Sequence, residues 1–136
     1  MNSLEKLDHI GIAVKDLQVS IPVFEKLLGI PCYKIEEVPG QGVITAFFKV
    51  GEIKIELVSS LNQENSLSKF LEKKGEGLHH LAFQVDNLEG NLDRLEKVGF
   101  SKIGLEPSRG AEGKWIQFLH PEKTSWVLIE LCQDSK

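Results

Sequence analysis

The feature that most limits what this chain can fold into is a repeat. "LDHIGIAVKDL" (7–17) returns as "LHHLAFQVDNL" (78–88), and "IKIELV" (53–58) returns as "WVLIELC" (126–132). Between them, "FEKLLGI" (24–30) matches "LEKVGF" (95–100). Self-similarity at a fixed spacing marks a duplicated structural unit. Each half reads as strand, helix and three further strands.

In the first half, "LDHIGIAV" (7–14) alternates with the period of a strand. "KDLQVSIPVFEKLLG" (15–29) has helical spacing, with Asp16 or Ser20 as cap, Pro22 in the first turn and Gly29 closing it. Strands are expected at 32–38, 43–50 and 53–60, joined by "PGQG" (39–42) and "GE" (51–52). In the second half, a strand at 78–85 and a helix at 86–99 precede a strand at 100–107. A Gly-rich loop (108–114) then leads to strands at 115–120 and 126–132. The expected organisation is one domain, 1–136, with repeat one at 5–60, repeat two at 78–132 and a linker at 61–77. The linker is polar, with a short helix after Ser66. A βαβββ unit covers one sheet face with its own helix and leaves the other open. Two such units can close into one cup, an α+β fold with a mixed sheet.

Composition removes several classes of function. At 136 residues, the chain has room for one ordinary domain. With 16 basic and 20 acidic residues, a net charge of −4 and no basic cluster, it is not a nucleic-acid binder. No apolar run approaches the roughly 20 residues of a membrane span, and "MNSLEKLDHI" lacks the pattern of an export signal. Cys32 and Cys132 have no metal-type spacing. They fit a reducing compartment without a disulfide, and the expected location is the cytoplasm.

Superposing the halves pairs His9 with His80, 71 residues apart, and Glu56 with Glu130, 74 apart, each glutamate in an "IEL" tripeptide. Period two puts His9 on one face with Gly11 and Ala13, and His80 with Leu78, Ala82 and Gln84. His79 falls on the helix-covered face with Leu81 and Phe83, where a structural role is expected; His120, before Pro121, reads the same way. Glu56 and Glu130 point away from the isoleucines and leucines beside them. A charge within such a strand is costly unless it is paired or bound to metal. Two His and two Glu converging across a pseudo-twofold suit a divalent cation, with waters completing an octahedron. Nitrogen and oxygen donors without thiolate favour Co, Mn, Ni, Fe or Zn.

These features resemble the vicinal oxygen chelate (glyoxalase/bleomycin resistance/dioxygenase) superfamily. Over about residues 5–132 the chain is similar to the methylmalonyl-CoA epimerase family within it, through "LDHIGIAV", "VPGQGV", "FLEKKGEGLHHLAF" and "FLHPEKTSWVLIEL". The resemblance implies a glyoxalase-like fold, with His9, Glu56, His80 and Glu130 as metal ligands and cobalt placed first among the metals. It also implies a homodimer and epimerisation of a CoA thioester at its α-carbon through a metal-stabilised enolate. Glu130 is then one base. Some family members carry a second catalytic carboxylate where this chain has Thr45, which cannot be a base, so Glu56 is the candidate for the opposite face. The family's usual Gly-Gly before "VLIEL" is Ser125-Trp126 here. A CoA substrate carries phosphates, for which Lys73, Lys74, Arg109 and Lys114 are available, with Thr45 lining the substrate site. The alternatives are a glyoxalase I-type lactoylglutathione lyase and a non-catalytic small-molecule-binding protein of the same fold.

Overall fold

The computed structural model describes residues 3–135. They fall into two compact units, Ile10–His79 and the chain up to His9 together with His80 onward. Strands β1 (Lys6–Ala13) and β5 (Gly77–Gln84) each contribute residues to both.

Within Ile10–His79 the elements are α1 (Leu17–Leu28), β2 (Lys34–Val38), β3 (Val43–Val50), β4 (Ile53–Ser60) and α2 (Ser66–Lys74). The strand order is β2-β3-β4-β1. β3 and β4 pair antiparallel along their whole length, from Val43↔Ser60 to Val50↔Ile53. One sheet face packs Ala46, Phe48 and Leu57 against Ile21, Phe24 and Leu28 of α1. Asp16 caps α1 by accepting a bond from the Gln18 N–H at 2.9 Å, and Gly29 ends it at φ 71°. Pro22 lies in the second turn rather than the first, because the helix begins at Leu17. The proline is exposed, so water can take the carbonyl it leaves unbonded.

The segment expected to be a linker does more than connect. Asn65 caps α2 through the Ser68 N–H and donates its amide to the Gly42 carbonyl at 2.8 Å. Leu67, Phe70 and Leu71 then pack on Ala13 and Val58. Val58 shares its face with Glu56, so α2 covers part of the face that α1 leaves open.

The other unit contains β1 up to His9, β5 from His80, α3 (Leu88–Lys97), β6 (Ser108–Arg109), β7 (Trp115–Leu119) and β8 (Ile129–Gln133), with strand order β1-β5-β8-β7-β6. β5 and β8 run parallel, with Ala82 opposite Glu130, and β7 runs antiparallel to β8, with Phe118 opposite Glu130. Leu88, Leu92 and Leu95 of α3 pack on Val85, Leu119 and Leu131. The opposite face carries Ala82, Ile116, Phe118 and Cys132. The repeat offsets recur in the backbone: the Val14 N–H donates to the Val58 carbonyl, and the Val85 N–H to that of Cys132, both at 2.9 Å. The two donors stand 71 residues apart and the two acceptors 74, as the paired histidines and the paired glutamates do.

The expected strand at 100–107 does not form. Lys102 makes a single bridge to Leu119, Gly104 turns at φ 85°, and the short β6 begins only after Pro107. Leu105, which the pattern counted as a strand residue, is exposed. β8 starts three residues later than expected, because Ser125 and Trp126 adopt left-handed φ values of 55° and 65°. Among the described residues, no helix is long and apolar enough to cross a membrane.

Candidate metal centre

His9 and His80 are each the fourth residue of their strands, β1 and β5. Glu130 is the second residue of β8, on the face shared by Ala82 and Phe118. All three are buried. The two Nε2 atoms are 3.1 Å apart; Glu130 Oε1 lies 3.4 Å from that of His80 and Oε2 3.7 Å from that of His9. The imidazoles meet edge to face, with centroids 5.2 Å apart and planes at 89°. The Phe118 ring lies 5.7 Å from that of His80, also near perpendicular.

Two imidazole nitrogens and a carboxylate therefore converge on one buried point. Only one proton fits between the two Nε2 atoms, whereas a cation there would draw on both lone pairs. Donors about 2.1 Å from a six-coordinate ion stand about 3.0 Å apart when adjacent. The observed 3.1, 3.4 and 3.7 Å come close to that spacing. The residues fit a divalent metal, and His9, His80 and Glu130 form a group able to hold one.

Around this triad lies a shell that strand periodicity did not reveal. His9 Nδ1–H donates to Asp8 Oδ2 at 2.7 Å. The Lys114 ammonium donates to Asp8 Oδ1 at 3.0 Å and to Gln84 Oε1 at 3.2 Å, and pairs with Asp134 at 3.4 Å. Period two places Asp8 on the face opposite His9, yet its carboxylate reaches the neighbouring ring. The available signal was the sequence Asp-His itself, since a carboxylate beside a ligating imidazole commonly orients it.

Glu56 is buried in β4 of the unit Ile10–His79, opposite Phe47. Thr45 is buried in β3, its hydroxyl donating to the Glu36 carbonyl at 3.2 Å. The structure does not bring Arg109 to the triad. Its guanidinium stacks 3.9 Å from the Trp115 ring centroid and donates to the Gly113 carbonyl and the Ser135 hydroxyl. Lys73 and Lys74 end α2, with the Lys74 ammonium 5.7 Å from the Phe70 ring. His79 packs edge-on against that ring at 4.8 Å, and burial lowers its pKa from 6.5 to about 4.

The Glyoxalase/Bleomycin resistance protein/Dioxygenase superfamily matches residues 8–118, and the chain belongs to it. An uncharacterised Bacillus subtilis protein, YqjC, is 41% identical over 96% of this chain and 93% of its own length. The ethylmalonyl-CoA/methylmalonyl-CoA epimerase of Cereibacter sphaeroides is 35% identical over 94% of this chain and 97% of its own. A Streptomyces coelicolor methylmalonyl-CoA epimerase variant, solved with 2-nitronate-propionyl-CoA, superposes with a TM-score of 0.93 at 32% identity, covering 98% of this chain and 96% of that one. The fold is thus the α+β, glyoxalase-like one that the repeat and the resemblance implied. Within the superfamily the chain is an enzyme of the epimerase type.

Proposed function

We propose that this chain inverts the α-carbon of methylmalonyl-CoA. The observation that carries the reading is the convergence of His9, His80 and Glu130 on one buried point, in a chain whose relatives bear epimerase names. The α-proton of a 2-methylmalonyl thioester is acidified by two flanking carbonyls, so a positioned carboxylate can remove it. His9, His80 and Glu130, with Glu56 as fourth ligand on the strength of the repeat, would hold a divalent ion, which when bound would offset the negative charge that develops on deprotonation. Inversion needs an acid–base group on each face of that carbon. Glu130 takes the proton on a carboxylate oxygen from one side, and Glu56 delivers one from the other. Thr45, with a hydroxyl that does not ionise near neutrality, is assigned to substrate contact rather than to proton transfer.

Cobalt is the first choice of metal, with manganese, nickel, iron and zinc compatible with the same donors. The working form is a homodimer in the cytoplasm, and light scattering at micromolar concentration checks its mass. The deciding experiment is proton NMR of methylmalonyl-CoA in deuterated water with metal-loaded protein. The expected result is loss of the α-proton signal together with loss of configuration. A metal-loaded protein that leaves the α-proton in place overturns the reading. Turnover of a glutathione hemithioacetal instead would mark the lyase.

A further inference from the structure

We infer that Asp8, clamped by Lys114, is a positioning residue that fixes His9 with its Nε2 lone pair turned to the metal; this rests on the metal reading above. The argument is one of donors and acceptors. Lys114 can only donate, and it occupies Asp8 Oδ1 at 3.0 Å. The other oxygen, Oδ2, lies 2.7 Å from His9 Nδ1, and a carboxylate can only accept there. His9 therefore carries its proton on Nδ1, and its Nε2 lone pair faces His80 and Glu130. With both oxygens engaged, the carboxylate cannot turn without breaking a charge-assisted bond. Lys114 is itself held by Gln84 and Asp134, so the chain of contacts runs from β8's end to the His9 ring.

The repeat makes the assignment specific. His79 stands at the position equivalent to Asp8, so no carboxylate adjoins His80 in sequence. The His80 ring instead meets the edge of Phe118. A buried carboxylate is costly unless paired, and Asp8, 6% exposed, meets that cost through His9 and Lys114. Outer-shell partners of this kind typically change metal affinity about 10- to 100-fold.

The test compares wild type, Asp8→Asn and Asp8→Ala by titration calorimetry with Mn²⁺, and by ¹⁵N NMR of the histidine rings in metal-free protein. Asp8→Ala is expected to bind Mn²⁺ about 10- to 100-fold more weakly at unchanged stoichiometry. Asp8→Asn retains an acceptor without the charge and should fall between. The wild-type His9 spectrum should show a protonated Nδ1, and Asp8→Ala a mixture of tautomers. Wild-type affinity in Asp8→Ala, or a proton on His9 Nε2 in the wild type, overturns the inference. If Asp8→Ala does not fold, Asp8→Asn decides, and wild-type affinity there overturns it too. A wild type that takes up no divalent ion overturns the metal reading instead, and the ¹⁵N spectrum still judges Asp8.

Discussion

Adjacent histidines on opposite faces of β5 allow stability and metal binding to be separated by two single substitutions. His79 packs its ring 4.8 Å from Phe70, at 88°, where it ties α2 to the strand. An edge-to-face pair contributes about 0.5–1.5 kcal/mol beyond the burial itself. With the partial cavity left by truncation, His79→Ala should lower stability by about 1–3 kcal/mol. For a domain of this size that is a fall of several degrees in Tm. His80→Ala removes one of three convergent donors and the contact with Phe118. Its metal-free stability should change by about 1 kcal/mol, but its response to metal should vanish. The assay is calorimetric unfolding with chelator and with Mn²⁺ in excess. At 1,000 times Kd, bound metal stabilises the native state by about 4 kcal/mol. Wild type and His79→Ala should both show that upward shift in Tm, from different starting points; His80→Ala, like His9→Ala, should show none. A metal-dependent shift surviving in His80→Ala, or lost in His79→Ala, would refute the assignment of faces.

Three further outcomes are expected. Glu130→Gln should keep metal yet lose α-proton exchange from one enantiomer of methylmalonyl-CoA, and Glu56→Gln from the other, each by about 10²- to 10⁴-fold; wild-type epimerisation by metal-loaded Glu56→Gln would leave Glu56 a ligand only. His79, at a pKa of about 4 in the fold against 6.5 unfolded, is protonated first in the unfolded chain. Its contribution, up to about 3 kcal/mol, is therefore complete above pH 6.5, is lost as pH falls toward 4, and is measured as the difference between the stability–pH curves of wild type and His79→Leu. Gly42 sits at φ 69°, and a Cβ there would lie 2.7 Å from the Asn65 amide nitrogen. Gly42→Ala should destabilise by about 1–3 kcal/mol through the lost α2 cap, read as a lower urea midpoint, with Mn²⁺ affinity unchanged.

Much of the fold was legible because duplication is visible in a single chain. The offsets of 71 and 74 residues single out His9, His80, Glu56 and Glu130 from the sequence, and period two assigns His79 to packing. What periodicity misread was local. "FSKIGLEP" has alternating apolar residues, but Gly104 and Pro107 interrupt the ladder, and only Lys102 finds a partner strand. Pro22 looked confined to a first turn, whereas an exposed helix face tolerates it in the second. The linker hid Leu67, Phe70 and Leu71 among lysines and glutamates, and their burial depends on a sheet face assembled from distant residues. Asp8 and Lys114, 106 residues apart in sequence, are joined only by the fold. No spacing rule could have paired them.

The two repeats share a plan but differ in how much regular backbone they keep. β3 and β4 are paired at eight positions, β7 and β8 at five, and β6 and β7 at two. The second repeat instead carries long connections at 98–107 and 120–128. Opening free energy follows the number of cooperatively broken bonds. Amide hydrogens of β6 and β7 should therefore exchange with solvent well before those of β3 and β4. Lys114, in the turn between β6 and β7, should share that faster exchange. The clamp on Asp8 is thereby anchored in the more fluctuating half, and brief fraying of that edge would release His9 from its steering without unfolding the rest.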